Sequence, residues 1–439
     1  MKKSNIKQFF SILLCLSVLG LFTTSCGKDG CTDPNATNYD EDADDDDGSC
    51  EFAPTYTVSS EVIGTTTYKK VSGIIDDNFT MSNSDQWLID GGVFVDNGNT
   101  LTIQEGTNIF ATPGGATDFL VISQGAKIDA QGTANNPIVM SSFTESPGSW
   151  GGLIVNGYGE INNGTTAEAE CGSGVYGGSN DADNSGTIRY LRIEFAGLLC
   201  ATDDELNGLT LNAVGSGTTI EYVQTYKCAD DGIEFFGGMV SVRWACVMGA
   251  GDDSFDWTHG WRGNGQYWVV HQDGIIGDRG FEGDNNGDDN TATPYSQPKV
   301  ANVTIVMADD GDGSNTGMRL REGTKGNFHN CIVVNAPNHG VRVSNDQTFM
   351  NVADGSLVWA NGVSFGAGGD DFKDAADFAN DASNTTNDPG LTGYVGTFDD
   401  ANAADPSTAL DSWFESAPFK GAVQASNDWT ANGTWVRQL

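Results

Sequence analysis

Residues 229–238 read Ala-Asp-Asp-Gly-Ile-Glu-Phe-Phe-Gly-Gly, and residues 251–260, 22 positions later, read Gly-Asp-Asp-Ser-Phe-Asp-Trp-Thr-His-Gly. The same phase returns at Gly280-Phe-Glu-Gly, Gly317-Met-Arg-Leu and Gly340-Val-Arg-Val, and begins at Gly208-Leu-Thr-Leu. A second strand family alternates with it: Thr187–Glu194, Thr219–Tyr226, Ser241–Met248, Gln266–Val270, Val303–Met307 and Cys331–Val334. Short alternating strands at a period of roughly 22–26 residues, with Gly, Asn and Asp at the corners, describe coils of a parallel β-helix. A propeller blade needs about 40–50 residues, so the echo fits one coil. Ile233, Phe235, Phe255, Trp257, Met318 and Leu320 point inward on this reading. No coil buries its apolar face alone, so stability comes from stacking.

Working outward, the expected fold is all-β. A right-handed parallel β-helix (solenoid) covers 54–348, between a small disulfide-stapled module at 26–53 and an irregular C-terminal cap at 349–439. Residues 158–186 and the acidic stretch 283–298 interrupt the repeat. Cys171 lies in the first interruption and Cys200 follows the next strand, so this pair is expected to pin it. A bond between Cys228 and Cys246 is not expected, because their offset is too large. Outside the signal and the lipid site seven cysteines remain, an odd number that leaves at least one thiol free.

Composition narrows the function. Lys+Arg number 21 against 60 Asp+Glu, a net charge of −39. That excludes nucleic acid as a partner, which needs clustered basic residues. It suits an extracellular protein, a divalent-cation binder, or both. The N-terminus is a targeting segment: Lys2, Lys3 and Lys7 precede an apolar run from Phe9 to Phe22, too short to span a membrane. Thr23-Thr24-Ser25-Cys26 resembles a bacterial lipobox, although Thr23 stands where leucine is usual. Residues 1–25 are therefore expected to be a lipoprotein signal peptide, with Cys26 the lipid anchor. Removing its three lysines takes −39 to −42.

Residues 26–53 hold too few apolar side chains for a core and need a staple. Cys31 with Cys50 is the expected disulfide, contributing about 3 kcal/mol in the chain-entropy model. Asp40, Asp42, Asp44 and Asp46 before Gly48 resemble a thrombospondin type 3 calcium loop, since Ca²⁺ takes several oxygens at once. A solvated acidic linker is the alternative, and the two are compatible.

The whole chain resembles the β-helix surface lipoproteins of Bacteroidota. The likeness rests on the Cys31–Cys50 module, on Gly151-Gly-Leu-Ile-Val-Asn-Gly, on Asp183 through Gly197, on the Asp-Asp-Gly-Ile-Glu-Phe-Phe-Gly-Gly coil, and on the closing Asp-Trp-Thr. It implies the fold and an outer-membrane or cell-surface location, and says almost nothing about activity.

Three features can carry chemistry. First, Glu234, Asp256 and Glu282 share an outward column that Arg319 and Arg342 continue. Stacked about 4.8 Å apart, such carboxylates repel, raise a pKa or share a cation. Second, the corner pairs Asp230/Asp231 and Asp252/Asp253 suit a turn role or a shared Ca²⁺. Third, Trp261 and Tyr267, near His259, read as exposed aromatics for a sugar ring. One of Tyr267 and Trp268 must be core, because they alternate. The histidines lack zinc spacing, and phosphate-loop, dinucleotide and serine-hydrolase motifs are absent.

The leading expectation is a lipid-anchored surface module, without catalysis, that binds glycan or matrix or acts as a spacer. The alternative is a polysaccharide lyase or glycoside hydrolase using Glu234, Asp256, Glu282 and Arg319. Convergent charges and a desolvated base between the two interruptions would mark an enzyme; a flat face would mark a binder or spacer.

Overall fold

A computed structural model describes residues 28–439 apart from 35, 37, 51–53, 203, 275–276, 309–310, 312 and 400. The expected signal peptide at 1–25 and the lipid anchor Cys26 lie outside the described residues. The chain divides into two compact units, Met1–Ala53 and Pro54–Leu439.

In the first unit, Cys31 and Cys50 are disulfide-bonded, and Asp29–Gly30 pairs with Asp45–Asp46. Its acids serve the backbone. Asp40 accepts the Asp42 amide and pairs with Lys28 Nζ at 2.6 Å. Asp44 accepts the Lys28 amide and Asp46 the Gly48 amide. Among the described residues, no three of Asp40, Asp42, Asp44 and Asp46 bring ligand atoms to a common point.

The second unit is a right-handed parallel β-helix built from one sheet of 25 strands. One face stacks Phe119–Ile122, Leu153–Asn156, Leu209–Asn212, Ile233–Phe236, Phe255–Thr258, Arg279–Gly283, Thr316–Leu320, Val341–Val343 and Phe372–Lys373. The other two faces are the halves of longer strands such as Thr219–Tyr226, Ser241–Met248, Asn264–His271, Lys299–Val306 and Gly326–Val334. Each long strand bends at one residue with left-handed φ: Tyr190, Tyr222, Trp244, Tyr267, Asn302 and Asn330, with Asn361 in the same place on the last coil. That conformation turns the chain by one corner while hydrogen bonding continues on both sides.

Alternation decides what is inside. Ile233, Phe255, Phe281 and Met318 lie in register and are fully buried, as are Phe235 and Trp257 one pleat along. Gly283 stands where the next coil would carry a side chain over Trp257; a Cβ there would lie 2.1 Å from the indole. The glycine is thus the space the tryptophan occupies. Cys228, Cys246 and Cys331 are buried free thiols. Burial pushes Cys228 up to about 12, so it is a packing group rather than a nucleophile.

Both ends differ from the sequence reading. An antiparallel hairpin, Tyr56–Ile63 with Thr66–Ile75, starts the body. After the helix Asp346–Ala353 the solenoid adds one more coil, Leu357–Ala360, Val363–Phe365 and Phe372–Lys373, beyond the expected limit at 348. Its strands are too short to show a period in sequence. The C-terminal region both closes this end, where Ala375 and Phe378 join the core, and does more than a cap. Residues from 402 onward run back along the solenoid flank, held by carboxamides at the corners. Asn361 donates to the Asn402 carbonyl, Asn330 to Ala404, and Asn302 to Ala417 and Phe419. Gln266 and Gln224 exchange two hydrogen bonds each with the backbones of Glu415 and Arg437.

Candidate functional site

The stacked face confirms the register of the outward column. Thr210, Glu234, Asp256, Glu282, Arg319, Arg342 and Lys373 are consecutive partners. Earlier coils place Val121 and Ile154 there. The column therefore runs from apolar, through hydroxyl and acidic, to basic along the axis.

The acids are crowded from the corner side. Asp253 donates its amide to Asp231 Oδ1 at 2.8 Å, and Asp231 donates its own to Asn207 Oδ1 at 3.2 Å. In this ladder Asp231 is the one corner aspartate whose carboxylate accepts, and it links neighbouring coils rather than closing its own turn. The ladder stops at Asp253, whose Oδ1 is buried and has no partner among the described residues. The nearest cation, Arg279 Nη1, lies 3.6 Å from the other oxygen. Arg279 also pairs with Asp278 and, through Nε, with Glu282 at 2.9 Å. Arg321 pairs with Glu282 and with Asp284. Arg319 stands 3.9 Å from Glu282. Asn207 Nδ2 donates to Glu234 Oε2 at 2.6 Å.

Among the described residues, four groups of carboxylates place ligand atoms within 4.8 Å of one another: Asp230/Asp231/Asp252, Asp231/Glu234/Asp256, Asp252/Asp253/Asp278 and Asp253/Asp256/Glu282. The electrostatic consequence follows from burial first and like charge second. Burial, then Asp252, pushes Asp230 up to about 7. Burial, partly offset by Arg279 and Arg321, brings Glu282 to about 7. Burial with Asp230 raises Glu170 to about 8. Asp231, Glu234, Asp253 and Asp256 are all raised, each by burial and then by neighbouring carboxylates.

The interruptions border this region. The hairpin Ala167–Glu168 with Val175–Tyr176 packs Tyr176 against Phe236. Disulfide Cys171–Cys200 ties it to Leu199–Ala201, which pairs with Asp204–Glu205. Asn162 bonds to Asn285 and Asn286, so the excursions at 158–186 and 283–298 touch each other.

The aromatic reading is corrected. Trp261 is fully buried, stacked on Phe235 with centroids 4.1 Å apart. His259 and Gly260, both with positive φ, swing the chain so that the next residue turns inward. Trp268 is core, and Tyr267 points outward but is covered by Glu415 of the returning tail. His259 sits between Asn163 and Phe236, and burial lowers it to about 4, so it is neutral at pH 7. Arg342 follows Arg319 in the column and is half-buried. Sequence reasoning missed Asp278, Arg279, Asp284 and Asn207, which lie in corners without fixed spacing. Arg321, two residues past the column's Arg319, was missed as well.

Residues 73–417 match the family model of the pectate-lyase-like β-helix domain. No curated protein and no solved structure matches the chain.

Proposed function

Because the chain belongs to the family of pectate-lyase-like β-helix domains, which fits a carbohydrate-related role, we propose that its sign-changing column binds an acidic polysaccharide through a shared Ca²⁺. The column itself carries this reading. Asp231, Glu234 and Asp256, or Asp253, Asp256 and Glu282, would hold the cation, and Arg319, Arg342 and Lys373 would meet polymer carboxylates further along the axis. The donor set is hard oxygen, as Ca²⁺ prefers, and the partnerless Asp253 Oδ1 supports the fit. When bound, the cation would supply positive charge to Asp231, Glu234 and Asp256, which form no ion pair among the described residues, beyond what Arg279, Arg319 and Arg321 give Asp253 and Glu282. We further propose that Cys26 anchors the protein by lipid at the outer membrane or cell surface. The basic start, the apolar run and the small residues before Cys26 support this.

The arrangement expected of an enzyme, convergent charges and a desolvated base beside two touching interruptions, favours a catalytic second reading, as a lyase or hydrolase. Glu282, held near neutral pKa beside Arg279, Arg319 and Arg321, can take or give a proton at physiological pH. Incubating the protein with polygalacturonate, with and without Ca²⁺, separates the readings. Calcium-dependent co-sedimentation without chain shortening, lost in Glu282→Gln, is expected for binding. Shortening that vanishes in Glu282→Gln would establish catalysis. Neither effect, with the fold intact, removes the column from consideration.

A further inference from the structure

On the flank away from the acidic column, the left-handed corner position changes its chemistry along the axis. At Asn302, Asn330 and Asn361 it is a carboxamide that holds the returning tail. At Tyr190, Tyr222, Trp244 and Tyr267 it is an aromatic ring. Bulky residues adopt positive φ only where the surroundings enforce it, and such strain gathers at working sites. The rings form a ladder: Tyr190 to Tyr222 is 4.3 Å, Tyr222 to Trp244 is 4.4 Å, and Trp244 to Tyr267 is 5.7 Å. Trp435 stands at right angles to the first two rings. Beside Trp244 and Tyr267 the tail touches the ladder only in part, through Glu415 at the Tyr267 hydroxyl, and a cavity of about 370 Å³ remains.

Its floor is Tyr222, Trp244 and Tyr267. One wall carries Glu415 and Ser416, the other Gln424, Asn427, Trp429 and Asn432. The carboxamides of Gln424, Asn427 and Asn432 take part in no hydrogen bond among the described residues. Glu415 faces Arg243 at 3.7 Å, so the walls offer no uncompensated cation to an anion. The faces of Tyr222 and Trp244 are occupied by their neighbours, so the floor presents ring edges, and a ligand is held by the walls.

We propose that this cavity is a second sugar site, for an uncharged pyranose with neighbouring hydroxyls. Carboxamides, a carboxylate and a serine pair with such hydroxyls as donor and acceptor at once. The aromatic floor shields those bonds from water. The inference rests on the carbohydrate-related reading but not on the acidic column or its cation.

The test is binding of the neutral probes cellotetraose, xylotetraose and mannotetraose, followed by titration calorimetry on the full chain. Asn427→Ala/Asn432→Ala changes exposed groups with no protein partner and should leave the melting temperature unchanged. At least one neutral tetrasaccharide is expected to bind, to weaken by about tenfold or more in that variant, and to bind Glu282→Gln as it binds the wild type. Absence of binding by all three, or equal binding to the double variant, overturns the proposal. Loss in Glu282→Gln alone places the sugar on the column and also overturns it. Polygalacturonate binding in the double variant reports on the column separately.

Discussion

Asp253 has a buried oxygen that nothing among the described residues satisfies, and burial first, then Glu282 and Asp252, pushes its carboxyl well above the usual carboxylate range. Ionising it without a cation is unfavourable. Asp253→Asn keeps the shape and removes the charge. At pH 8 without divalent cations the variant should be more stable than the wild type by about 1–3 kcal/mol, read as a higher urea midpoint. The rise in stability on adding calcium should shrink in the same variant. A calcium response equal to that of the wild type would show that the ion sits elsewhere. Gly283 makes the opposite case, an apolar one. Gly283→Ala drives a methyl group into Trp257 and should cost about 1–3 kcal/mol by overpacking, seen as a lower midpoint with an unchanged denaturant slope. An unchanged midpoint would mean that the indole moves aside freely.

Among the elements, the outward column was legible because strands alternate strictly, and Ile233-Glu-Phe-Phe and Phe255-Asp-Trp-Thr repeat that alternation in phase. The arginines that neutralise it were not legible. Arg279 ends a corner whose length differs from its neighbours', so no period points to it. Trp261 was misread for a related reason: two left-handed residues before it reverse the inside–outside rule. The returning tail left no periodic trace at all, because its partners are single carboxamides on distant coils. Asn302 tests that attachment. Asn302→Ala removes two hydrogen bonds, to the carbonyls of Ala417 and Phe419. Hydrogen exchange in residues 417–423 should then speed up about tenfold or more, while the Ile233–Phe236 strand stays protected. Equal acceleration of both would mean that tail and solenoid open as one unit.

For the molecule as a whole, charge sets a pH dependence of definite sign. Glu170 titrates at about 8, and Asp230 and Glu282 at about 7, against about 4 in an unfolded chain. Groups raised on folding stabilise the protein fully below the lower value and lose that contribution as pH climbs through the higher one. Stability without divalent cations should therefore fall between about pH 4 and pH 8, and millimolar calcium should restore it more at pH 8 than at pH 5, since protons and cations compete for the same oxygens. Melting curves across that range with chelator and with calcium check both statements. A curve that rises with pH under chelation would show that the acidic cluster does not govern stability.

The strap of residues 402–438 has a consequence in time rather than in free energy. A bare solenoid can lose coils one after another from an end, each departure costing only a nearest-neighbour interface. Here Arg192 holds the carbonyls of Thr434 and Trp435, 242 and 243 positions away, and Gln224 holds Arg437 across 213. Contacts of such span form slowly, and the strap lies across coils that would otherwise fray independently. Unravelling must wait for the strap to lift, so the resistance of this protein to proteolysis should be governed by a rate of opening, and should outlast what its equilibrium stability alone would give.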